Sequence, residues 1–71
     1  MNQYWKRIRL AMENNNINSW YELSKVTKVS EQTLSSTRVR NGYLSFENTC
    51  KIANALDLSL DELNVIKKGD V

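Results

Sequence analysis

Side chains able to carry covalent or acid–base chemistry are scarce in these 71 residues: histidine is absent and Cys50 is the one cysteine. Without an imidazole there is no Ser-His or Cys-His pair and no proton relay poised near neutral pH. Asp61 and Glu62 are adjacent carboxylates, but Ser59-Leu60-Asp61-Glu62 is a helix-capping box, which accounts for Glu62. No glycine-rich phosphate loop and no metal-ligand spacing occurs. Cys50, between Thr49 and Lys51, reads as a small half-buried apolar residue. The residue types argue against an enzyme and imply no metal, no cofactor and no small-molecule substrate.

What remains is cationic and hydrogen-bonding chemistry, and it is unevenly spread. Residues 1–44 carry seven basic and three acidic side chains, a net +4, whereas residues 45–71 carry three basic and five acidic ones, a net −2. One half can thus face an anionic partner while the other faces away.

The elements that must position these groups are helices. Tyr4, Ile8, Ala11 and Met12 recur at helical spacing, with Trp5 alongside, which predicts a helix over about 3–14. Asn14-Asn15-Asn16 ends it, since Asn competes for backbone hydrogen bonds and tolerates left-handed conformations. Ser19-Trp20-Tyr21-Glu22 is a second capping box, and Ser30 and Ser45 stand as N-caps before Glu31 and Phe46-Glu47. Further helices are therefore expected over about 20–27, 31–38, 46–56 and 60–67. No segment alternates as a strand would. The expected core is Ile8, Ala11, Ile17, Leu23, Val26, Val29, Leu34, Phe46, Ile52, Ala53, Leu56, Leu58, Leu60 and Leu63.

The fold class is all-α, a compact five-helix domain over residues 1–71. The composition, 41% hydrophobic and 25% charged, is that of a globular chain. A domain this small gains little net stability from its core, and lacking disulfides and metal ligands it must rely on tight helix packing or association. Val65-Ile66 either extends an apolar patch for a homodimer or closes the core. No apolar run approaches the ~20 residues of a membrane span, and no signal-peptide pattern opens the chain, so no membrane partner is expected and the place of action is the cytoplasm.

Residues 19–38 hold two short Ser-capped helices separated by Lys28-Val29, with Leu23, Val29 and Leu34 spaced to converge where the helices cross and small Ser24 at the close approach. That geometry is a helix-turn-helix. With Ile8 and Ile17, Glu22-Leu23-Ser24, Val29-Ser30, Thr33-Leu34-Ser35 and the block KIANALDLSLDEL from Lys51 to Leu63, the chain resembles the Cro/cI-type (XRE) helix-turn-helix family from about residue 4 to residue 66. The resemblance implies a transcriptional regulator in a bacterial or phage genetic switch, acting in the host cytoplasm on a double-stranded DNA operator, with the helix over 31–38 in the major groove.

Carried over onto this sequence, the resemblance makes Glu31, Gln32, Thr33, Ser35 and Ser36 base-facing. Trp20, Tyr21, Arg38, Arg40 and Asn41 are placed along the DNA backbone, the last three as the phosphate contacts. Gln32 has an amide able to bridge adenine N6 and N7, and Arg38 and Arg40 supply the charge that phosphate contacts need. The chain also departs from the pattern. Trp20 stands where the family commonly has Gln, and Lys28 holds a turn position usually occupied by Gly. Glu31 leads a reading helix with no Lys or Arg between Glu31 and Thr37.

A neutral face flanked by Trp20, Tyr21 and Tyr43 is also the composition of a protein interface. In size, Asn-rich composition and altered helix-turn-helix the chain is similar to Mor-type modulators of repression in temperate phages. That resemblance implies a second reading, a modulator or antirepressor that binds a co-encoded repressor protein. Trp20 itself reads equally as an interface residue or as a lid on the core.

Overall fold

The computed structural model describes residues 3–63, which form five helices: α1 (Gln3–Asn14), α2 (Trp20–Thr27), α3 (Glu31–Val39), α4 (Phe46–Leu56) and α5 (Leu60–Leu63). No strand occurs among the described residues. The start of every helix and the ends of α1, α2 and α4 fall where the sequence places them, and α3 runs one residue further. The expected continuation of the last helix to 67, and the Val65-Ile66 patch, lie outside the described residues.

Local side-chain chemistry sets the starts. Ser19, Ser30 and Ser45 accept the backbone N–H groups of Glu22, Thr33 and Asn48, satisfying donors that each first turn leaves free. Ser59 and Glu62 make the full reciprocal box, Glu62 accepting from the Ser59 amide at 3.0 Å. The box at 19–22 closes differently: the Glu22 carboxylate accepts the N–H of Asn18, at 2.8 Å, rather than that of Ser19.

The ends share a second device. Asn16, Asn41 and Asp57 adopt left-handed φ of 61°, 59° and 58°. Beyond each, the next N–H reaches back five residues, from Ile17 to Met12, Gly42 to Thr37 and Leu58 to Ala53, at 2.8 to 3.0 Å. Orphan carbonyls are thereby satisfied, and Ile17 and Leu58 turn toward the core. Helix α2 ends on Lys28, also left-handed at φ 65°, whose N–H bonds to Ser24 O at 2.8 Å. The turn into α3 is closed by Thr27, whose hydroxyl donates to Leu23 O and accepts from Val29 N–H.

The buried side chains form one cluster, with Trp5, Ile8, Leu23, Leu34, Ile52 and Thr49 the largest to lose all solvent contact. Leu23, Val29 and Leu34 converge there as the helix-turn-helix spacing requires. Two expected members do not join. Val26 is 52% exposed, because α2 turns Leu23 and Thr27 inward and Thr27 is needed at the turn. Phe46 is 59% exposed at the first position of α4, and Leu44, just before the cap, is buried instead. Leu58 and Leu60 pack against the cluster half-buried, and the core also takes in Tyr4, Trp5 and Met12.

A closed hydrogen-bond ring crosses this core. Leu44 N–H donates to the Tyr4 hydroxyl (3.3 Å), Tyr4 to Thr49 Oγ1 (2.8 Å), and Thr49 to Leu44 O (3.4 Å). Burial is the main cause that pushes the Tyr4 hydroxyl above its ordinary pKa, against the opposing pull of the Thr49 and Leu44 bonds. At the surface, Arg7 donates to Glu62 O at 2.6 Å and ties α1 to α5.

Lys28→Gly removes a left-handed side-chain penalty that exceeds the added freedom of the unfolded chain. It should stabilise the fold by about 0.5–1 kcal/mol, read as a rise of a few degrees in Tm. Because the Tyr4 hydroxyl ionises less readily folded than unfolded, its contribution is complete below about pH 10 and is lost as pH rises from there through the folded value. Urea midpoints measured upward from neutral pH should therefore fall more steeply in the wild-type chain than in Tyr4→Phe, which starts lower.

Candidate nucleic-acid interface

Helix α3 turns Leu34 and Thr37 into the core. At 3.6 residues per turn the opposite side then carries Gln32, Ser35, Ser36 and Val39. Gln32 and Ser36 are exposed and Ser35 half-exposed, and Glu31 lies exposed at the leading edge. Thr33 sits on the flank: its hydroxyl oxygen accepts from Ser30 Oγ at 2.8 Å, which leaves its own O–H able to donate elsewhere, while its N–H completes the cap. The Ser36 hydroxyl rests on Thr33 O at 3.5 Å, long enough to be given up to a better acceptor.

Val39, 77% exposed, occupies the same stripe at the i, i+4, i+7 spacing from Gln32 and Ser36. It was not among the residues singled out from the sequence. The helical spacing was its one signal, and an apolar residue on a reading helix has a partner chemistry in the thymine methyl group.

The phosphate-facing candidates divide. Arg40 and Asn41 are exposed in the turn after α3. Arg38 is half-buried: its guanidinium lies over the Trp20 ring, 4.4 Å from the centroid, and its Nη1 is buried without a hydrogen-bond partner. Two residues assigned different roles from the sequence are thereby brought into one contact.

The three aromatic candidates also separate. Trp20, half-buried, packs edge-on against Trp5 with centroids 5.8 Å apart, which makes it a lid on the core. Tyr43 is exposed on one side and meets Tyr4 on the other at 4.9 Å. Tyr21 is exposed, with Lys25 Nζ 5.1 Å from its ring centre. The rings of Trp20, Trp5, Tyr4 and Tyr43 form a continuous edge-contact chain under the loop that follows α3.

That loop is anchored from below. The fully buried Trp5 indole donates to Gly42 O at 2.7 Å, and the Asn41 and Gly42 amides bond back to Arg38 O and Thr37 O. Among the described residues the one ion pair is Glu47–Lys51 on α4, and no described carboxylate pairs with Arg38, Arg40, Lys25 or Lys28. No described group of His, Cys, Asp or Glu could hold a metal, and no described helix is long and apolar enough to cross a membrane.

The family model described as the Cro/C1-type HTH DNA-binding domain matches residues 7–69. No curated protein and no solved structure gives a match.

Trp5→Phe keeps an aromatic ring but removes the donor to Gly42 O. It should cost about 1–3 kcal/mol, seen as a lower urea midpoint at unchanged m-value, and should speed amide hydrogen exchange at Asn41 and Gly42.

Proposed function

The chain belongs to the Cro/C1-type helix-turn-helix family of DNA-binding domains, and from that premise we propose that it is a transcriptional regulator of a phage or bacterial genetic switch. In this reading α3 lies in the major groove of an operator. The observation that carries it is the outer face of α3: Gln32, Ser35 and Ser36 are accessible on a helix whose backbone is fixed by a cap and a buried stripe. Gln32 reads adenine, Glu31 accepts from a cytosine amino group, and Ser35 and Ser36 serve base or phosphate. Thr33, whose hydroxyl accepts from Ser30, keeps its own O–H to donate to base or phosphate. Arg40, Asn41 and the accessible part of Arg38 meet phosphates.

A second reading is supported by a different observation. Tyr21 and Tyr43 are each about half exposed, Val39 is exposed on α3, and the accessible Gln32, Ser35 and Ser36 are uncharged, which is the composition of a protein interface. A co-encoded repressor protein would be the partner, and the chain would act as a modulator of repression.

Binding to a labelled duplex of the flanking intergenic region, at two salt concentrations, separates the two. The DNA reading expects affinity to fall steeply with salt, and Arg38→Ala with Arg40→Ala to flatten the log–log slope by about two units. No binding at low salt, together with a tight repressor complex lost on Tyr43→Ala, would establish the second reading in its place.

A further inference from the structure

Trp20 and Arg38 make a contact that connects the first residue of α2 to the last turn of α3. The Trp20 ring is backed by Trp5, edge-on at 5.8 Å and 77°, and Trp5 is itself held by its bond to Gly42 O. The indole therefore offers Arg38 a fixed plane. Over that plane lies the guanidinium, with Nη1 turned inward and lacking any hydrogen-bond acceptor. The ring's negative face compensates the charge there in place of an oxygen. Arg38 is only partly buried, and of its guanidinium nitrogens Nη1 is the one enclosed without a partner, which leaves the outer part of the fork toward solvent.

An unrestrained surface arginine loses rotamer freedom when it grips a phosphate, and that loss subtracts from affinity. A planar fork already stacked on a rigid ring has less freedom to lose. We propose that Trp20 is a positioning residue for DNA binding: it holds Arg38 in the orientation in which the outer part of the guanidinium meets a phosphate. This rests on the DNA-binding reading above. In it Trp20 touches no nucleotide, and its whole effect on binding passes through Arg38.

The test is a double-mutant cycle on the full chain, using a short labelled duplex of random sequence at low salt, since a phosphate contact needs no particular sequence. Trp20→Ala should weaken binding by roughly 2- to 12-fold, the cost of immobilising one rotamer-rich side chain. Trp20→Phe, which keeps a ring face and safeguards the fold, should lose less. In an Arg38→Ala background, Trp20→Ala should change affinity by less than about twofold, the signature of residues acting as one unit. Arg38→Lys keeps the charge without the plane and should be similarly insensitive to Trp20.

In the free protein, ring-current shifts of the Arg38 side-chain protons report the stack directly and should vanish in Trp20→Ala. Equal losses in both backgrounds, or Arg38 protons that do not respond to Trp20, overturn the proposal while leaving DNA binding intact. A wild-type chain that binds no duplex at low salt overturns the DNA reading and this proposal together.

Discussion

The Trp5 indole N–H lies inside the core, where it must be given an acceptor, and the acceptor is the carbonyl of Gly42. That bond joins α1 to the loop after α3, across 37 positions of sequence. On its two sides the same ring meets Tyr4 and Trp20 edge-on. The loop that presents Arg40 and Asn41, the start of α2 and the end of α3 are therefore all referred to one side chain. In a chain with a single cysteine and no histidine, such a hub does the cross-linking that a disulfide or metal performs elsewhere.

Helix ends show how tightly a small domain can be drawn without glycine. Gly42, the one glycine among the described residues, does not sit at a left-handed position. Three helices stop on Asn or Asp, whose short polar side chains tolerate that geometry, and α2 stops on Lys, which has no such compensation. The turn of the helix-turn-helix is thus the strained one. Thr27 offsets part of that strain by bridging Leu23 O to Val29 N–H.

Helix α3 is capped by Ser30 and seated by Leu34 and Thr37, but its outer face is electrically quiet. Its one cation, Arg38, is drawn sideways onto Trp20, and the exposed cation Arg40 lies just past its end. Positive charge is accordingly placed at the edge of the surface, while the centre carries amide, hydroxyl and a single exposed valine. In the proposed DNA reading, affinity on such a surface comes from geometry and base contacts more than from bulk charge.

Much of this was legible in the sequence because it is local. A serine three residues ahead of the amide it caps, or an asparagine at a left-handed stop, acts within one turn, so the starts and most of the ends of the helices follow from their own residues. The family block from Lys51 to Leu63 likewise identifies the scaffold. Competition between distant parts of the chain was not legible. Leu44 displaced Phe46 from the core, and Thr27 left Val26 outside, because each choice depends on what another helix places opposite. Arg38 looked like a free phosphate contact until the fold set Trp20 beneath it. Sequence alone determined the helices, their caps and the helix-turn-helix. Only the tertiary structure decided which apolar residues are enclosed and where the guanidinium rests, since both are settled by contacts between residues far apart in the chain.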